Sequence, residues 1–159
     1  MAEELCGAAK NEMRALERAA GHEVDSCWLD FAILHGEQPP TLEQFRAREY
    51  RGARGDLHFG PYRVDTDGAG ATDERHITAL LAGVRGLRGL PRNKVKELRR
   101  VLAYGKHEQQ QFMTQLGHLN LPLPDVPAWH AYAENLWERE RTPYMDAIEL
   151  MDYVMDGEV

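Results

Sequence analysis

The sequence predicts a mainly α protein: a single-domain bundle of five to six helices, interrupted by an irregular Gly-rich segment at 51–71. Three observations carry this prediction. Apolar residues recur at helical spacing along most of the chain. Gly and Pro punctuate the stretches between them. The region without helical periodicity, 51–71, gathers five glycines and Pro61. At 159 residues the chain has one domain's length and can bury a proper core. Its 43% apolar content and three Trp oppose disorder.

The first helix is expected from about Ala2 to Ala20, where Leu5, Ala9, Met13 and Leu16 share a face and Gly21 ends it. A second is expected over 26–35, with Trp28, Phe31, Ala32 and His35 in register. Thr41-x-x-Gln44 spells a capping box that opens a third. In 51–71, Leu57–Phe59 and Tyr62–Val64 flank Gly60-Pro61 and allow a small β-ribbon. A fourth helix is placed from Thr72, carrying Ile77, Leu80, Leu81 and Val84. The clearest pattern is a fifth, over 92–116. Val95, Leu98, Leu102, Gly105, Gln109, Phe112 and Leu116 are spaced alternately three and four apart, which reads as one long core helix. Pro122, Pro124 and Pro127 keep the next segment extended. A final helix starts near Ala128 and breaks at Thr142-Pro143. This divides the chain into a helical core domain, 1–142, and an acidic amphipathic C-terminal helix, 143–159. The latter docks on the core or binds a partner through Tyr144, Ile148, Met151 and Met155.

Charge is sorted along the chain. Residues 85–106 hold eight basic residues against one acid, while 125–159 hold nine acids against two bases. Such a block either pairs internally or meets an anionic partner. Arg51, Arg54, Arg85, Arg88, Arg92 and Lys96 are the anion-binding candidates, because arginines beside glycines bring guanidinium forks close to an anion. Internal pairing is the favoured reading, since the net charge of −7 disfavours generic adhesion to nucleic acid.

Other motifs fall short of a chemistry. Asp65, Asp67, Gly70 and Asp73 resemble part of a calcium loop, but His76 stands where a bidentate Glu is needed. No metal site and no cofactor are therefore expected. Gly68-x-Gly70 lacks the third glycine of a dinucleotide loop. His130, Glu134 and Glu138 share a helix face without partners on other helices. Cys6 and Cys27 read as reduced, partly buried thiols of a cytoplasmic protein. No run of the sequence is long and apolar enough for a membrane span, and an Arg-rich composition suits a bacterial or phage genome.

The expected function is that of a non-enzymatic helical interaction protein, a small adaptor or regulator that binds a protein partner or a second copy of itself. No catalytic residue is assigned. One alternative is a nucleic-acid-binding regulator that uses the basic block at 85–106. The other is an enzyme whose site gathers Asp56, His58, Asp65, Asp67 and His76 from the 51–76 loop region.

Overall fold

A computed structural model describes residues 1–23, 25–34, 36, 41–64 and 72–154. Among these the chain is mainly α, with two small two-stranded antiparallel sheets. The described residues hold seven α-helices rather than the expected five to six, and the helix expected over 92–116 is two of them. No helix among the described residues is long and apolar enough to cross a membrane.

Helix α1 spans Ala2–Ala20 and stops as expected: Gly21, at φ 74°, donates its N–H to the Glu17 carbonyl. The helix expected over 26–35 is absent from its described part. Instead Trp28–Leu29 forms β1, antiparallel to Tyr62–Arg63. Tertiary ties override the local period here. Trp28 donates its indole N–H to Ser26 Oγ and lies beneath the Arg75 guanidinium, and Asp30 accepts from the Phe31 N–H.

Helix α2, Leu42–Glu49, opens as the capping motif requires, with Thr41 Oγ1 accepting from the Gln44 N–H. Strands β2 (Arg51–Gly52) and β3 (Gly55–Asp56) then form a tight hairpin. Gly55 is needed there, since a Cβ at its φ of 146° would lie 2.1 Å from the Glu140 carbonyl oxygen. The ribbon expected between 57–59 and 62–64 does not form. Strand β4 (Tyr62–Arg63) pairs with β1, and the Phe59 and Gly60 N–H groups go to the Asp146 carboxylate. The Gly60–Pro61 peptide is cis.

Helix α3, Ile77–Leu87, begins five residues later than expected, because His76 caps it through its ring: Nδ1 accepts from the Thr78 N–H. The long helix at 92–116 is two: α4 (Arg92–Leu102) and α5 (Lys106–His118). Gln109, only 2% exposed, explains the break. Its amide donates to the carbonyls of Val101 and Leu102 at the end of α4 and of Tyr104 in the turn after it. The polar residue in the middle of the seam is a helix cap supplied by the next helix. The last predicted helix is also short. A 3-10 turn (Pro127–Trp129) runs into α6 (His130–Ala133), and left-handed Leu136, Arg139 and Glu140 turn the chain back. Glu134 and Glu138 therefore do not continue a helix face with His130, which instead meets Asp125 at 3.1 Å.

Helix α7, Tyr144–Leu150, packs against α3 and α4. Tyr144, Met145, Asp146, Ala147, Ile148 and Glu149 are all buried, so the segment sits in the core. Met151 is half-buried, and Met155 lies outside the described residues. Gly83 of α3 lies flat under the Trp129 indole, where an added Cβ would come within 2.2 Å of two ring carbons. Gly83→Ala gains helix propensity of about 1 kcal/mol. It nonetheless overpacks a fully buried ring, and a net loss of about 1–3 kcal/mol is expected in urea denaturation.

Candidate functional site

Five residues that the sequence scatters are brought to one place by the fold. Asp30 follows β1, Arg46 projects from α2, His58 follows β3, Arg141 precedes α7, and Asp146 lies inside α7. Asp146 is fully buried, and its Oδ2 accepts from the Phe59 N–H (3.0 Å), the Gly60 N–H (3.1 Å) and the Tyr62 hydroxyl (2.7 Å). Its Oδ1 faces His58 Nδ1 at 3.4 Å, an ion-pair distance, and has no hydrogen-bond donor of its own. On the opposite side of the ring, His58 Nε2 lies 3.1 Å from Asp30 Oδ1 and 2.8 Å from an Arg46 terminal nitrogen, and Asp30 Oδ2 takes that same guanidinium nitrogen at 2.6 Å.

The electrostatics follow from burial against charge. Burial alone would pull His58 down. The Asp146 carboxylate, and after it Asp30, outweighs burial and the repulsion of Arg46, so His58 is pushed up to about 9. Burial raises both carboxyls, but His58 and its partners hold each of them below the usual carboxylate value. At neutral pH two anions and two cations are thus closed on one another.

Arg46, His58 and Arg141 bring this node to the wall of a cleft of about 820 Å³ between α1 and α2. Its lining includes Ala8, Leu42, Ala47, Tyr50 and Pro61, together with Arg141. One Arg141 nitrogen donates to the carbonyls of Phe59 (2.8 Å) and Gly60 (3.0 Å), and the guanidinium lies over the Phe59 ring at 5.3 Å. The two helices are tied to each other at the cleft: Glu4 of α1 accepts from the Leu42 N–H at the start of α2. Glu12 of α1 is anchored by Arg75 at 2.9 Å.

Of the loop residues singled out as catalytic candidates, Asp56 and His58 both line this cleft. Asp56 is engaged by Arg51 and His58 by its two aspartates. His76 is elsewhere, capping α3, and Asp65 and Asp67, with the calcium-like and Gly-x-Gly motifs, lie outside the described residues. Cys6 and Cys27 are exposed free thiols rather than partly buried ones.

The anion-binding candidates do not form one site. Arg51 pairs with Asp56, and Arg54 donates to Gln109 Oε1 and the Asn135 carbonyl. Arg88 reaches the Met151 and Val154 carbonyls beyond the end of α7. Arg92 stands 3.8 Å from Asp152. In the same block Lys94 binds Glu97 and Gln115, and Arg99 binds Glu149. The C-terminal segment thus answers part of the basic block in cis. Arg85, Lys96 and Arg100 stay exposed.

Sequence reasoning missed Asp30, Arg46, Arg141 and Asp146. The one legible signal was in α7, where Tyr144, Met145, Ala147 and Ile148 put apolar residues on more than one face around Asp146, the mark of a helix buried all round. No protein-family model matches the chain, and no curated protein matches it in sequence.

Proposed function

We propose that the protein is a non-enzymatic interaction protein, a small adaptor or regulator, and that it receives its protein partner in the cleft between α1 and α2. The observation that carries this reading is the locked wall of the cleft. Both His58 nitrogens face carboxylates, Nε2 also meets the Arg46 guanidinium, and a histidine pushed up to about 9 is a poor base at neutral pH. Asp30 and Asp146 are consumed by the same network. What remains is a rigid, shaped recess with apolar walls, which suits recognition better than proton transfer. The partner surface lies at the cleft rather than on the C-terminal helix that the sequence suggests, because Tyr144 and Ile148 are buried.

Two variants separate this reading from the nucleic-acid alternative, which rests on exposed Arg85, Lys96 and Arg100. Ala47→Trp fills the cleft from an exposed position of α2 and is expected to abolish capture of the partner with no change in Tm. Replacing Arg85, Lys96 and Arg100 together by Ala is expected to leave capture intact. The reverse result, with duplex binding at low salt lost in the triple variant, would transfer the function to the basic block.

A further inference from the structure

We infer that the cleft recognises an extended peptide segment of a protein partner by a single side-chain carboxylate seated on Arg141, with apolar residues on either side of it. The inference rests on the cleft being the partner site and adds the chemistry of what enters. Its starting point is which charges of the cleft are already answered. Arg46 is paired with Asp30, Arg51 with Asp56, and His58 lies between two aspartates. Among the acids, Glu4 sits on the Leu42 N–H and Glu12 on Arg75. Arg141 differs. Among the described residues no carboxylate lies within ion-pair reach of it, and its hydrogen bonds run to two backbone carbonyls through one nitrogen only. A guanidinium has five N–H donors. Nε and the other terminal nitrogen of Arg141 therefore retain theirs, and neither is a buried unsatisfied atom. A half-buried guanidinium that lines a cleft, held in place by carbonyls and a ring face, is a preorganised receptor for an anion.

The surroundings choose among anions. Glu4, Glu12, Glu43 and Asp56 ring the same cleft, so a dianionic phosphate meets four carboxylates, whereas a singly charged carboxylate meets less repulsion. The walls choose the body that carries the charge. Leu42, Ala47, Tyr50 and Pro61 offer apolar contact beside Arg141. The length chooses its form. The cleft follows α1 from Glu4 to Glu12 and α2 from Leu42 to its C-cap, Tyr50. Each run is about 12 Å of helix, which matches about four residues of extended chain. The cleft lies at the surface, so an extended segment can lie along the two helices with its acidic side chain toward Arg141.

The test uses the full-length protein and two end-blocked peptides, acetyl-Ala-Leu-Glu-Leu-Ala-amide and its Gln counterpart. Blocked ends leave the Glu side chain as the only carboxylate. The Glu peptide is expected to bind saturably by calorimetry, about tenfold or more tighter than the Gln peptide, the range of one charge-assisted contact. In the wild-type protein it should also shift the Arg141 Nε–H resonance, a readout that needs no substitution at a residue that also holds the 59–60 backbone. Arg141→Lys should reduce the preference for Glu over Gln while leaving Tm close to that of the wild type. Equal affinities, or an unmoved Arg141 resonance, would overturn the carboxylate inference and leave the cleft as the partner site. No binding of either peptide at millimolar concentration would also overturn it. The Ala47→Trp capture assay separately decides whether the cleft is used at all.

Discussion

Truncation after Arg141 is expected to leave a chain that does not fold. Such a cut removes α7, whose Tyr144, Met145, Ala147 and Ile148 are all buried in the core, and it takes Asp146 from beneath His58. Burying a large apolar side chain contributes about 1.5–3 kcal/mol, so the three large ones alone supply on the order of 5–10 kcal/mol. A domain's whole net stability is only about 5–15 kcal/mol. The expected result is loss of the cooperative thermal transition and binding of a hydrophobic dye. As a control, Asp152→Ala removes only a surface pair 3.8 Å long to Arg92 and should leave the melting curve unchanged. A truncated chain that kept its Tm would restore the C-terminal segment as a free arm and return Tyr144, Ile148 and Met151 to the list of partner contacts.

The helices were legible where local signals suffice. Gly21 ends α1, Thr41 caps α2, and the prolines at 122, 124 and 127 keep the chain extended. Periodicity failed where it counts residues without seeing the backbone. Gly105 and Gln109 keep the three-four spacing across the α4–α5 break, so the seam reads as continuous although the chain turns. Trp28, Phe31 and Ala32 keep a helical spacing in a segment whose hydrogen bonds go to a strand instead. The site was less legible still. Its members are separated by up to 116 positions, from Asp30 to Asp146, and no spacing rule joins a loop, two helices and two turns. His58 was singled out because it sat with other titratable residues in a glycine-rich loop. Asp146 belongs to a segment that reads as an acidic amphipathic helix, and charge normally marks the outside of a helix. The exception arises because one histidine, one tyrosine and two backbone N–H groups await it.

That exception makes Asp146→Ala the most damaging single substitution expected in this chain. It leaves the Phe59 and Gly60 N–H groups and the Tyr62 hydroxyl buried without an acceptor, and it strips the His58 cation of one of its two counter-ions. Removing one partner of a buried pair costs about 3–5 kcal/mol. The pH dependence identifies which part of the loss is ionic. His58 in the folded protein is raised to about 9, against about 6.5 in the unfolded chain. The folded state therefore holds the proton more tightly. The contribution is present in full below about pH 6.5 and is lost as pH rises through 9. Between those limits the wild-type protein should lose stability on the order of 3 kcal/mol in urea denaturation. In Asp146→Ala the main group raising His58 is gone, so the curve over the same pH window should be nearly flat. His58→Ala should flatten it too. The double variant should then lose less stability than the two single losses together, by about 0.5–3 kcal/mol, because one interaction cannot be removed twice. If the two losses add in full and the wild-type curve is already flat, His58 is neutral in the fold, and the charge-closed wall proposed for the cleft is wrong.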